Sequence, residues 1–442
     1  MPEVLSLDLN GSGLLVNGTA PGCLLPDEVA HGRSDELVSI DLEFINGRIT
    51  QIVPHGTLAN DAAAHDLDRG MVLPTLVDAH THLDKGHIWP RKPNPDGSFM
   101  GALTATGEDR SANWSAEDVR ARMEFGLKCA FVHGTSAVRT HLDSIPPQDE
   151  ISWPVFKELR EDWHGRIELQ AVCLFGIDRL DADDGYLERI AARVEEAGGV
   201  LGSVTYMIPR LDEHLDSIFE IAARKGLDLD FHVDETSDPE ARSLAHIAEA
   251  ALRNRFEGKI VCGHCCSLAR QNAEEVDWTL DLVARAGVQV ISLPMCNMYL
   301  QDRHSGRTPR WRGVTLLHEM TDRGIPVAVA SDNTRDPFYA YGDLDLIEVY
   351  AQATRILHLD HPIADWIKTV STSAAKMIGT DHGRLATGGA ADLLLLRARD
   401  WSELLSRPKG LRDVIRNGKT VTASLPDYRE LDHLIYRRET AQ

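Results

Sequence analysis

Residues 72–87 read VLPTLVDAHTHLDKGH, an apolar run of strand length that stops on His80-x-His82. Residues two apart on a strand point the same way, so these two imidazoles share a face. Two imidazoles on one face can bind one metal ion, although a lone H-x-H more often marks satisfied or solvated histidines. The pattern around it decides the fold. From Met71 onward, apolar strand candidates end near His80, Asp143, Phe175, Met207, Val233, His264, Leu293 and Asp332. Between them lie helix-length amphipathic stretches such as SAEDVRARMEFGLKCAFVHG (115–134), DADDGYLERIAARVEEAGG (181–199) and LDEHLDSIFEIAARKG (211–226). Ser115 with Asp118 predicts a capping box for the first of these, and glycines close several of them. Eight strand–helix units over about 300 residues are the arithmetic of a (β/α)8 TIM barrel. A doubly wound sheet is the alternative, but eight units favour closure.

The ends of the chain read differently. LVSIDLEFINGRITQIVP (37–54) holds two alternating runs around Asn46-Gly47, a strong hairpin signal. After residue 380, HGRLATGGAADLLLL (382–396) and LRDVIRNGKTVTA (411–423) again read as strands separated by turns. The expected organisation is a small β-sandwich domain made jointly by residues 1–70 and 380–442, around a barrel of residues 71–379.

Composition narrows the function. Lys plus Arg number 46 against 68 Asp plus Glu, a net charge of -22. Nucleic-acid binding needs clustered cations on phosphates, so that class is excluded, and anionic membrane surfaces are disfavoured. The first seventeen residues lack a basic start and an unbroken apolar run, and no stretch is apolar enough to span a bilayer. The seven cysteines follow no disulfide spacing. A cytoplasmic location is expected. A homo-oligomer is possible and is not readable from the sequence.

Polar residues at the strand ends carry the chemistry. LDLDFHVDE (227–235) places His232 in an apolar run and Glu235 where the strand meets its loop. A neutral His can ligate a metal while a nearby carboxylate moves protons. KIVCGHCC (259–266) ends a strand on His264. Its Cys262-x-x-Cys265 also admits a redox pair or half of a zinc site, but no second pair completes such a site. IPVAVASDNTRDPF (325–338) puts Asp332 at the end of a run of small residues. Thus His80, His82, His232, His264 and Asp332 fall at the C-terminal ends of four strands, the face of a barrel that holds the active site. Three His and one Asp suit zinc or ferrous iron with a position left for water.

At these residues the chain resembles the cytosine deaminase branch of the amidohydrolase superfamily. The matching blocks are HTHLDK (80–85), VRTHLD (138–143), FHVDE (231–235), Gly263-His264, NMYLQDR (297–303), RWRGV (310–314), SDNTRDPF (331–338) and the tail GRLATGGAADLLLL. The resemblance implies that His80, His82, His232 and Asp332 bind one divalent metal, zinc or iron with manganese possible. It implies that Glu235 carries a proton from the activated water to a ring nitrogen and on to the leaving group. His264 would orient the water or stabilise a developing oxyanion, and Asp332 would also take a proton. Two-metal relatives use a lysine on the fourth strand, and SVTYMIPR (203–210) has none.

The departures concern the substrate. The glutamine that cytosine enzymes carry after the third strand aligns with Gly176, their second aspartate with Asn333, and their tryptophan with Phe338. The expected reaction is hydrolytic deamination of an amino-substituted nitrogen heterocycle, with release of ammonia. The candidate substrates are cytosine-like rings, pterins, creatinine and triazines. The room expected at Gly176 favours a bulkier ring than a pyrimidine. The second reading is hydrolysis of a cyclic amide or release of an alkylamine from a ring, and the third is an inactive scaffold. In the first loop, KGHIWPRKPNPDGSFMGAL (85–103), Lys85, His87, Trp89 and Arg91 lie close to the ligands, and Trp89 is a candidate ring-stacking residue. In the seventh loop Arg303 is a candidate contact to a substrate carboxylate or carbonyl, with Arg307 and Arg310 nearby.

Overall fold

The computed structural model describes residues 8–33, 36–58 and 64–436. The outer ends of the segments 1–70 and 380–442, expected to build the small domain, lie outside the described residues, as do 34–35 and 59–63.

Eight strands form the barrel: β1 (Leu76–Thr81), β2 (Thr135–Asp143), β3 (Glu168–Leu174), β4 (Val204–Thr205), β5 (Leu229–Val233), β6 (Ile260–His264), β7 (Gln289–Ser292) and β8 (Val327–Val329). β1-β2-β3 make one hydrogen-bonded sheet and β4-β5-β6-β7-β8 another. Parallel bridges Gly176↔Val204 and Thr81↔Asp332 join their edges and close the ring. Every residue of β2, β5 and β6 is buried. Strands covered on both faces have no polar side to show, which explains their continuous runs without alternation.

The helices between the strands follow the amphipathic stretches, for example Tyr186–Ala197 after β3, Leu211–Lys225 after β4 and Ala273–Ala286 after β6. Gly198, Gly226 and Gly287 end these three with φ of 60°, 65° and 67°. A left-handed C-cap is where glycine avoids the Cβ penalty. The capping box predicted at Ser115 is made by half. The Asp118 amide donates to Ser115 Oγ at 3.3 Å, but the Asp118 carboxylate is committed to Arg91 and Arg122. Two buried guanidiniums outbid a backbone amide for that charge.

The chain divides into two compact units. One comprises the residues up to Val77, Lys128–Ala137 and Asp345–Leu425; the other comprises Asp78–Leu127, Val138–Leu344 and the residues from Pro426. In the first unit, strands Arg48–Pro54, Leu37–Ile45, Gly13–Pro21 and Ala64–Asp66 form one sheet in that order. Lys419–Thr420, Arg412–Arg416, Leu393–Leu396 and Val72–Pro74 form a second. Leu15, Ile40, Leu42 and Ile52 from one sheet share an apolar core with Val72, Leu393, Leu395 and Ile415 from the other. The hairpin predicted at Asn46-Gly47 is present, with both residues at positive φ (52° and 77°), as a two-residue hairpin turn requires. No described helix is long and apolar enough to cross a membrane.

Candidate active site

The C-terminal ends of β1, β5, β6 and β8 bring five side chains together. His80 and His82 leave β1 on the same face, and His232 comes from β5. His80 Nε2 lies 3.2 Å and His82 Nε2 3.1 Å from His232 Nε2. Asp332 Oδ1 lies 3.3 Å from His82 Nε2 and 3.8 Å from His80 Nε2. The Asp332 amide donates to His80 O at 2.9 Å, which fixes the carboxylate against the first strand. Asp234, His264 and Asp332 all have positive φ (48°, 70° and 63°). Non-glycine residues there carry backbone strain of order 1–3 kcal/mol each, and such strain gathers at functional sites.

Three imidazole nitrogens pointing at one another cannot satisfy themselves, because each hydrogen bond needs one N–H and one lone pair. Both Asp332 oxygens are buried without a hydrogen-bond donor. Such a carboxylate is costly unless a cation or a proton meets it. Burial and neighbouring imidazoles hold His80, His82 and His232 neutral, with pKa values well below the usual 6.5, so their lone pairs are free for ligation. Two ligand atoms about 2.1 Å from one tetrahedral ion lie about 3.4 Å apart, close to the separations here. The cluster therefore fits a divalent metal ion. His80 also groups with His264 and Asp332, and with His141 and His232, within ligand reach.

Glu235 and His264 stand beside this cluster, Glu235 Oε1 3.5 Å from His264 Nδ1. Burial, and then the nearby Asp332 carboxylate, push Glu235 well above the usual carboxylate range. Burial lowers His264 to about 3. Asp332 is pushed up to about 7, mainly by burial. The arrangement pairs a carboxyl raised above its usual range with a neutral imidazole.

Two residues of the site carry no role in the sequence reading. His141, on β2, stacks on His80 with ring centroids 3.9 Å apart, and its Nε2 is 3.2 Å from Asp230 Oδ1. Asp230 also accepts from Arg139 Nη1 at 3.1 Å. Asn297 lies in the helix Pro294–Leu300 after β7, and its Nδ2 reaches both Glu235 Oε1 (3.2 Å) and His264 Nδ1 (2.9 Å). The available signal was their place in the blocks VRTHLD and NMYLQDR.

The substrate candidates are distributed unevenly. Phe338 packs with Ala102, Cys296 and Leu300 against Phe99, and the Lys85 ammonium lies 5.4 Å from its ring centroid. Lys85 is buried and paired with Asp143 at 3.0 Å, while Arg110 holds the other oxygen of Asp143 at 2.7 Å. Asn333 donates to Asp336 Oδ2 at 2.7 Å, and its Oδ1 accepts from Cys296 Sγ at 3.6 Å, so one end of its amide serves the eighth loop and the other the helix after β7. Trp89 is half-buried in the first loop, its amide bonded to Arg335 O. Arg303 covers the Tyr299 ring and donates to Tyr299 O, and Arg307 pairs with Asp302.

The room expected at Gly176 is taken up. A Cβ there would meet Asp178 Oδ1 at 2.7 Å and the Tyr206 hydroxyl at 3.0 Å. The Tyr206 hydroxyl donates to Asp178, so this bonded pair fills the space in front of the glycine. Cys262 and Cys265 are buried free thiols, and burial pushes both well above their usual value, which removes the thiolate that redox chemistry needs.

Residues 190–422 match the amidohydrolase family. The chain is 58% identical over 403 residues to a pterin deaminase of Rhizobium rhizogenes, which covers 91% of this chain and 92% of that one. It is 23% identical over 412 residues to an N-isopropylammelide isopropyl amidohydrolase of Pseudomonas sp., covering 86% and 93%. Among solved structures, a 5-methylcytosine deaminase of Klebsiella pneumoniae with 5-fluorocytosine superposes with a TM-score of 0.80 at 24% identity, covering 94% of this chain and 98% of that chain.

Proposed function

The chain belongs to the amidohydrolase family, and from that premise we propose that it is a metal-dependent aminohydrolase that removes the 2-amino group of a pterin as ammonia. The observation that carries the reading is the buried meeting of three neutral imidazoles, a donor-less Asp332 carboxylate and the Glu235 carboxyl at one barrel end. The 58% identity to a pterin deaminase supports the ring class. It favours a pterin over the cytosine-like, creatinine and triazine rings, and over release of an alkylamine.

In this reading His80, His82, His232 and Asp332 hold one divalent ion, with zinc or iron suiting the donor set. When bound, that ion supplies Lewis acidity that brings the pKa of a water to about 7. Glu235 takes a proton as the water oxygen adds to C2 of the ring, and delivers it to the adjacent ring nitrogen. The second water proton goes to the exocyclic nitrogen, the C2–N bond breaks, ammonia leaves, and a 2-oxo ring remains. His264, neutral and buried, donates a hydrogen bond to the oxygen added at C2 as charge develops on it. Phe338 and Lys85 border the ring site, the first as an apolar wall and the second as a cation for a ring carbonyl. Trp89, Gly176, Asn333 and Arg303 are the further candidates for substrate contact, from the first, third, eighth and seventh loops.

Seven free cysteines, six of them buried, suit a reducing cytoplasm. A homo-oligomer remains compatible with this reading. The test is ammonia release, with metal quantified, from pterin, cytosine, creatinine and N-isopropylammelide side by side. A kcat/KM for pterin at least 100-fold above the others is expected, since a site built to bind one ring's polar groups discriminates strongly. Ammonia from cytosine alone, or isopropylamine from N-isopropylammelide, would overturn the substrate assignment.

A further inference from the structure

His264 has two ring nitrogens in different surroundings. Nδ1 faces Asn297 Nδ2 at 2.9 Å, whereas Nε2 is buried without a hydrogen-bond partner. The same Asn297 Nδ2 lies 3.2 Å from Glu235 Oε1. Asn297 itself is fully buried, and its Oδ1 has no partner. A side-chain amide whose nitrogen sits between an imidazole nitrogen and a carboxyl oxygen has both N–H donors committed. Its donation to His264 Nδ1 requires a lone pair there, so the proton of the neutral ring must sit on Nε2. Gln301 Nε2 donates to Glu235 O at 3.1 Å, so a second amide from the same seventh loop holds the backbone of the shuttle.

We propose that Asn297 is a positioning residue that locks His264 in its Nε2–H tautomer and ties Glu235 to it, so that Nε2–H is presented as a donor to the reacting carbon's substituent. The proposal deepens the deaminase reading and rests on it for the role of that donor, but the tautomer itself does not depend on which ring is the substrate. Without the amide, a neutral His264 is free to carry its proton on Nδ1 and bond Glu235 Oε1 directly, 3.5 Å away. Nε2 would then be an acceptor, and the donor would be lost. Asn297→Asp is the discriminating change because it keeps the shape and removes the donors. A carboxylate accepts from Nδ1–H and so favours the other tautomer.

The experiment is a two-bond 1H–15N correlation spectrum of imidazole-labelled, zinc-loaded protein, with the His264 signals identified by their loss in His264→Gln. The wild type is expected to give the protonated-nitrogen shift at Nε2 and the bare-nitrogen shift at Nδ1. The reverse pattern in the wild type would overturn the proposal whatever the substrate proves to be. In Asn297→Asp the pattern should invert. Pterin kcat should fall roughly 100-fold, the scale for losing one transition-state donor, with KM and metal content within threefold of wild type. A variant that keeps the Nε2–H tautomer and near-normal kcat would also overturn it. So would one that loses KM, metal and melting temperature together with kcat while the tautomer stays unchanged.

Discussion

Replacing Glu235 by Gln should stop the chemistry and leave the metal in place. Glu235 is in neither of the groups of residues whose ligand atoms crowd together. Its Oε1 instead accepts from Asn297 Nδ2 at 3.2 Å and lies 3.5 Å from His264 Nδ1. Glutamine has the same shape and can keep an oxygen toward Asn297, and the Gln301 bond to the backbone carbonyl at 3.1 Å is unaffected. What disappears is only the group that exchanges a proton. Burial, and then the Asp332 carboxylate, raise that group above the ordinary carboxylate range, and an amide in its place has no proton to exchange. General acid–base catalysis contributes about 10²–10⁴-fold, which at 1.36 kcal/mol per tenfold is about 3–5 kcal/mol of barrier. The assay is ammonia release at saturating substrate, alongside metal analysis and a thermal melt of the same preparation. A kcat within tenfold of wild type would refute the shuttle role. Loss of the metal at unchanged folding would show that Glu235 is a ligand.

Acid should weaken the fold partly through His87. Burial, Arg335 and Arg122 lower this histidine from 6.5 to about 3, so the unfolded chain binds a proton that the folded one does not. Its contribution is whole above about 6.5 and is lost as pH falls from there toward about 3. His87 has a φ of 66°, a conformation that asparagine tolerates. In His87→Asn the slope of unfolding free energy against pH, measured by urea titration from pH 4 to 6, should be shallower by up to about 1.4 kcal/mol per pH unit. An unchanged slope would mean that His87 is not held neutral. Gly176→Ala should destabilise by no more than about 1 kcal/mol, because the added carbon meets only the ends of the exposed Asp178 and Tyr206 side chains, which can swing aside. Adding Tyr206→Phe removes one of the two obstructions and should recover part of that loss in the same denaturation assay; strict additivity would contradict the crowding.

Much of the fold was written in local patterns. The Asn46-Gly47 hairpin, the glycines that close the helices and the eight strand–helix units each depend on residues close in sequence. His80 and His82 share a face because strand periodicity puts them there. The remaining features depend on partners far along the chain. Asp118 looks like the far end of a capping box until Arg91, 27 residues away, is seen to hold it together with the neighbouring Arg122. His141 sits in a strand buried at every position, so no alternation singles it out, and its partner Asp230 is 89 residues away. Asn297 meets Glu235 across 62 residues. Gly176 reads as open space because a sequence does not reveal that Tyr206, from the next strand, bends over it to reach Asp178.

One titration tests the metal dependence of the reaction most directly. Metal-free protein, prepared with a chelator and checked by elemental analysis, would be given zinc in fractions of an equivalent, and ammonia release from pterin followed after each addition. Activity should begin near zero, rise linearly and break at one equivalent per chain, because His80 and His82 each approach His232 and Asp332 within 3.1–3.8 Å, the spacing of one ion's shell. Ammonia release from the metal-free protein at the full rate, or no release at any metal loading, would contradict it.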